Sequence, residues 1–186
     1  MVRVAVAGLG FMGKTHLGIY NSLDNVEIAA LCDIQEDLLY MKSLDAGGNI
    51  EASSGDIDLS SAEKYTDFEK MLEAGGYDFV DLCLPTFLHT DYAVKALKKG
   101  FHVFCEKPMA LSREETKKIL DAVEETGKLL SVGQCLRFWP AYVEIKKIID
   151  SGKYGKIRYA DFGRFSAPPT WGWEDWYWEL ILCRVS

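Results

Sequence analysis

Long apolar runs are missing from this 186-residue chain. No stretch approaches the roughly 18 consecutive apolar residues that a membrane-spanning helix needs, so no membrane partner is expected. The apolar start is short and breaks at Gly8 and Gly10. It carries neither a basic leading segment nor a small-residue cleavage site, which argues against a secretory signal. Clustered basic charge is missing too: 21 Lys and Arg against 28 Asp and Glu leave a net charge of −7 with no block of one sign. Nucleic acids and anionic surfaces are bound through basic patches, so no nucleic-acid partner is expected. The five cysteines, Cys32, Cys83, Cys105, Cys135 and Cys183, are widely spaced and form no C-x-x-C pair. That usage fits a reduced, cytoplasmic protein better than a disulfide framework or a zinc site. Repeats and low-complexity tracts are also absent.

What is present is an alternation of short apolar runs with amphipathic stretches. The runs are Val2–Ala7, Val26–Cys32, Phe79–Leu84, His102–Cys105 and Leu129–Val132. Each is compact and apolar along its length, as in parallel strands covered on both faces. Helices are expected over Met12–Ser22, Ile34–Leu44, Phe68–Ala74, Leu88–Lys99 and Ser112–Thr126. The last opens with the capping box Ser112-x-x-Glu115 and stops at Gly127. The Gly- and Ser-rich stretch Ala46–Ser61 reads as a mobile loop. This rhythm predicts an α/β fold, a doubly wound parallel sheet with right-handed crossovers. After residue 133 the character changes: a helix is expected over about Pro140–Asp150, then alternation over Ile157–Arg164, then an aromatic tail. The expected organisation is a nucleotide-binding domain over 1–133 and the beginning of an incomplete α+β second domain over 134–186.

Gly8-Leu9-Gly10-Phe11-Met12-Gly13 is a G-x-G-x-x-G sequence that follows a strand, opens a helix and has an acid, Asp33, about 20 residues beyond. That context makes a Rossmann-type dinucleotide site the expectation. Gly8 permits the tight turn, Gly10 the approach of a pyrophosphate and Gly13 close helix–strand packing, with Phe11 and Met12 at the helix N-terminus. Asp33 closes the second strand, where a carboxylate can accept from ribose hydroxyls and repel a 2′-phosphate, so NAD is favoured over NADP. As a simple helix N-cap it would need no ligand, and both roles are compatible. His16 and His102 read as structural.

Three further motifs carry a resemblance. Leu84-Pro85-Thr86-Phe87-Leu88-His89, Cys105-Glu106-Lys107-Pro108 and Gly133-Gln134-Cys135-Leu136-Arg137-Phe138-Trp139-Pro140 are similar to segments of the glucose-fructose oxidoreductase and inositol dehydrogenase (Gfo/Idh/MocA) family. The resemblance implies an NAD(P)-dependent oxidoreductase that moves a hydride between nicotinamide and a sugar, cyclitol or related polar alcohol. It implies that Lys107 is the catalytic group near nicotinamide and substrate, through a cis Lys107–Pro108 bond. It places Leu84, Pro85, Thr86, His89 and Glu106 beside the cofactor, and Lys107, Arg137 and Trp176 at the substrate. A lysine can take a hydroxyl proton if burial or neighbouring charge lowers its pKa. His89 contacts the nicotinamide side or merely fills the surface; Arg137 lines the pocket or forms an inter-domain ion pair. Trp176, with Trp171, Trp173, Tyr177 and Trp178, either stacks on a sugar or packs within the second domain.

The sequence departs from the family after Trp178. The family continues to a D-x-x-x-H motif that brings an Asp and a His to the active site, whereas here Glu179–Ser186 follow and no histidine comes after His102. A frameshift or premature stop would produce that pattern. The alternative function is therefore a catalytically inactive NAD-binding remnant or a non-enzymatic NAD-sensing module. A homo-oligomer is a possible assembly.

Overall fold

The computed structural model describes residues 1–44 and 55–163. Their elements are β1 (Val2–Ala7), α1 (Phe11–Asn21), β2 (Val26–Cys32), β3 (Glu63–Tyr65), α2 (Phe68–Ala74), β4 (Phe79–Leu82), α3 (Thr86–Lys98), β5 (His102–Cys105), α4 (Arg113–Thr126), β6 (Leu130–Val132) and α5 (Pro140–Asp150), with 3₁₀ turns at Glu36–Tyr40 and Cys135–Phe138. All ladder pairs are parallel and the strand order is β3-β2-β1-β4-β5-β6. This is the doubly wound order of a Rossmann fold. The order reverses between β1 and β4, and the crevice beyond the strand ends there is where such sheets bind ligands.

Successive strand side chains face opposite sides of a sheet, and two cores result. Val4 and Val6 of β1 pack with Leu17, Leu31 and Leu39. Ala5 and Ala7 pack with Val80, Leu82, Leu97 and Ile119. Helix ends follow local chemistry. The Asp67 side chain accepts from the Glu69 and Lys70 amides to start α2. Ser112 Oγ accepts from the Glu115 amide to start α4, which ends on Gly127 in the left-handed conformation.

Three expectations need correction, and one strand was not expected. Ile34–Leu44 is no α-helix: Asp33 accepts from the Gln35 amide at 2.8 Å, a 3₁₀ turn covers Glu36–Tyr40, and the chain straightens at Met41. Strand β3 is absent from the apolar pattern because Glu63-Lys64-Tyr65 is a polar edge strand. The described end of the Gly/Ser-rich stretch is not loose. Ser43 bridges Asp56, and Ile57 and Leu59 are buried in the core that holds Val4 and Val6. No strand forms over 157–163, where every residue is exposed. Among the described residues, no helix is long and apolar enough to cross a membrane.

The described residues divide into two units, 1–133 and 134–163. Within the described part of the second, α5 follows the 3₁₀ turn, and the Trp139 and Tyr142 rings lie 6.2 Å apart.

Candidate cofactor and catalytic site

The three glycines of the β1–α1 turn are glycine for different reasons. Gly8 has φ +90°, and a Cβ there would lie 2.3 Å from the Cys83 carbonyl oxygen. A Cβ on Gly13 would lie 1.9 Å from the Gly8 carbonyl oxygen. Both positions are closed by backbone, so they hold α1 and β4 against the turn. Gly10 is the opposite case: a Cβ there would meet nothing within 4 Å. It is the N-cap of α1 and has no side chain to cap the helix. An anion can take that place, where helix amides and the positive dipole end favour it. Phe11 and Met12, the first helical residues, are half-buried beside it.

Asp33 stands at the end of β2, next to this turn. Its Oδ2 accepts from the Leu9 amide at 2.7 Å and its Oδ1 from the Gln35 amide at 2.8 Å. Each carboxylate oxygen has a second acceptor position, so Asp33 can receive ribose hydroxyls while it braces the turn.

The next rim segment is the β4–α3 turn. Leu84, Pro85 and Thr86 are half-buried there, with Pro85 as the N-cap of α3. His89 is 1% exposed, which removes the surface-filling alternative. Its Nε2 lies 2.7 Å from the Leu84 carbonyl and its Nδ1 2.8 Å from the Pro108 carbonyl. The ring thus bridges the β4–α3 turn and the segment after β5.

That segment is Glu106-Lys107-Pro108. The Lys107–Pro108 bond is cis, and the Lys107 side chain is exposed on the strand-end rim. The Lys107 amide donates to Glu106 Oε2 at 3.0 Å. Glu106 Oε1 lies 3.3 Å from His16 Nε2. Burial works against ionisation of the Glu106 carboxyl, but the bonds from His16 and the Lys107 amide prevail and hold it below its ordinary range. On the other side of the ring, His16 Nδ1 lies 2.8 Å from Asp81 Oδ2. Asp81 is fully buried in β4 and also accepts from the Tyr20 hydroxyl at 2.8 Å and, at 3.5 Å, from the Cys83 thiol. Burial opposes charge on His16, yet the two carboxylates outweigh it and its pKa is pushed up to about 10. Burial beside Asp81 pushes the Cys83 thiol far up, so it stays protonated.

A family model described as the oxidoreductase family with an NAD-binding Rossmann fold (GFO_IDH_MocA) matches residues 2–134. The chain belongs to this oxidoreductase family. Residues 2–134 are its NAD-binding domain. Relatives within it include the scyllo-inositol 2-dehydrogenase (NAD(+)) of Bacillus subtilis, 37% identical over 172 residues, which span 91% of this chain and 46% of that protein. The inositol 2-dehydrogenase/D-chiro-inositol 3-dehydrogenase of Lactiplantibacillus plantarum is 31% identical over 84% of this chain and 42% of that protein. Among solved structures, the WlbA dehydrogenase of Bordetella pertussis in complex with NADH and UDP-GlcNAcA superimposes with a TM-score of 0.69 at 29% identity, over 83% of this chain and 43% of that one. The chain spans less than half the length of these family members.

Of the residues singled out by sequence, the family's fold brings Gly8, Gly10, Gly13, Asp33, Pro85, Glu106 and Lys107 to one edge of the sheet, after β1, β2, β4 and β5. Arg137 lies in the separate unit, in the 3₁₀ turn Cys135–Phe138, and is exposed. Trp176 and the rest of the aromatic tail lie outside the described residues. Sequence reasoning missed the His16–Asp81–Glu106 cluster. One signal was available: Asp81 is a charged residue inside the apolar run Phe79–Leu84, and a buried charge needs partners.

Proposed function

We propose that this chain is the cofactor-binding part of an NAD-dependent dehydrogenase acting on a cyclitol or sugar alcohol. The observation that carries the reading is the open space at Gly10 on the same strand-end rim as Lys107. Gly10 and the start of α1 would receive the pyrophosphate, and Asp33 the adenosine ribose. A 2′-phosphate would meet the Asp33 charge, which favours NAD over NADP. Bound nicotinamide supplies the hydride acceptor. Lys107 Nζ would take the proton of the substrate hydroxyl as the carbonyl forms. Glu106 accepts from the Lys107 amide, and Arg137 is a proposed substrate-binding residue.

The class of substrate is supported by the inositol dehydrogenases among the relatives. The test runs in two stages. Calorimetric titration of the chain with NADH and NADPH is expected to show binding with NADH the tighter ligand, and equal or tighter NADPH binding would overturn the Asp33 assignment. NAD reduction is then followed with scyllo-inositol, myo-inositol and glucose. It is measured for this chain and for the chain extended by the remaining residues of the Bacillus subtilis relative. Lys107→Ala is expected to abolish reduction in whichever form is active and to leave NADH binding intact. NADH binding without turnover by either form would reject the dehydrogenase in favour of a binding module.

A further inference from the structure

Beneath the rim lies a buried group of ionisable side chains that the proposed reaction does not use. His16 comes from α1, Asp81 from β4 and Glu106 from the end of β5. The imidazole has a carboxylate on each nitrogen, Asp81 at 2.8 Å and Glu106 at 3.3 Å. A neutral imidazole donates from one nitrogen only, whereas the imidazolium donates from both. Among the described residues around the ring, Tyr20, Cys83 and Phe104 carry no positive charge, while Lys107 adds some near Glu106. Tyr20 and Cys83 both donate to Asp81, the Cys83 sulfur lies 3.2 Å from Nδ1, and the Phe104 ring meets His16 edge-on at 5.6 Å. Two buried carboxylates without a cation between them would be costly.

We infer that His16 is a positioning residue: its imidazolium, hydrogen-bonded to Asp81 and ion-paired with Glu106, fixes the Glu106 carboxylate, which in turn fixes the backbone of Lys107 at the rim. The inference rests on Lys107 as the proposed proton-handling group. The geometry is a chain of contacts with no slack. Asp81 is fully buried and held by three donors, so it anchors one side of the ring. Glu106 is 8% exposed and divides its two oxygens between His16 and the Lys107 amide. Gly133 closes the other side, since a Cβ there would come within 2.9 Å of Glu106 Oε1. Losing the His16 donor leaves Glu106 one ionic partner short, and a buried carboxylate in that state turns toward water or takes up a proton. The first releases the Lys107 amide and the second weakens its bond to Glu106. Helix α1 also carries the glycine turn at its N-terminus, so the same histidine ties the cofactor cradle to the lysine.

The test uses the full chain and two readouts. Backbone amide NMR of His16→Gln is expected to move the Lys107 and Pro108-flanking resonances well beyond those of remote amides, with NADH binding retained. In a form that reduces NAD, kcat should fall about 10- to 100-fold, the scale of a displaced reactive group, with KM for NAD unchanged. The kcat–pH profile should change shape as well. An unmoved Lys107 amide in a folded His16→Gln protein would overturn the inference. Should that variant not fold, ring NMR of the unaltered protein decides. The His16 ring is expected to stay protonated through pH 8, and the Lys107 amide to shift in step with its deprotonation near pH 10. A His16 ring that titrates near 6.5 would overturn the inference. Absence of NAD reduction by any form would sink the dehydrogenase reading and leave the amide result standing.

Discussion

In residues 1–133 the sheet is sealed on both faces, with Val4, Val6, Val80, Leu82 and Ile119 wholly excluded from water. Between 134 and 163 no residue is buried. Both regions contain one-sided helices. In α4, Ile119 and Ala122 are buried. In α5, Tyr142, Ile145, Ile148 and Ile149 are each at least 40% exposed. The contrast teaches that an apolar stripe specifies a helix's orientation only where a second surface exists to receive it. Local signals, here Pro140 in the first turn and the i,i+4 pair Lys146–Asp150, favour the helix itself.

The comparison can be broken or sharpened by substitution. Ile119→Ala should give the largest effect, a loss of about 4 kcal/mol of stability, because it empties a closed core position. The urea midpoint measures it, and a loss typical of a surface site would mean the core is loosely packed. Next, the two ends of the glycine motif should separate folding from binding. Gly13→Ala drives a Cβ onto the Gly8 carbonyl and should cost about 3 kcal/mol of stability. Gly10→Val places its side chain in open space, so the fold should persist while NADH affinity drops about 100-fold, equivalent to ~2.7 kcal/mol. Undiminished NADH binding by a folded Gly10→Val protein would remove the cradle from the argument.

A third prediction concerns pH. The folded pKa of His16, about 10, lies above its ordinary 6.5. Its contribution to stability is therefore complete below about 6.5 and is lost as pH rises toward 10. The Glu106 shift has the opposite sign: its contribution is present above the ordinary 4.5 and lost as pH falls below it. Urea midpoints of the unaltered protein should fall between pH 7 and 10 more steeply than those of His16→Gln; parallel profiles would contradict the assigned charge. The smallest effect is expected from Ile148→Ala on α5, within about 0.5 kcal/mol. A loss as large as that of Ile119→Ala would show that the stripe is covered in solution and erase the contrast between the two regions.

Much of the site was legible because its motifs are contiguous. The run VRVAVA and the glycines after it announce a strand, a turn and a helix within 13 residues. The cis Lys107–Pro108 bond and the family itself were readable from equally short stretches. The polar strand β3 was not, because an edge strand needs no apolar face to be held by its neighbour. Nor was the path of residues 34–44, where helical spacing competes with the Asp33 turn and with burial of Leu39 and Leu44.

By itself the amino-acid sequence determined the ranges of β1, β2 and β5, the caps of α4 and the position of the glycine turn. Each of these depends on neighbours a few residues away: a short continuous apolar run, a capping hydroxyl, a glycine without a Cβ. Only the tertiary structure decided that His16, Asp81 and Glu106 form one charged cluster. Asp81 lies 65 residues beyond His16 along the chain, and no periodicity connects them. They meet because the parallel order places β4 beside β1 and β5 beside β4, under the helix that the glycine turn launches. Two carboxylates buried in that space then require the imidazolium between them, a condition of burial and charge that exists only once the sheet has closed.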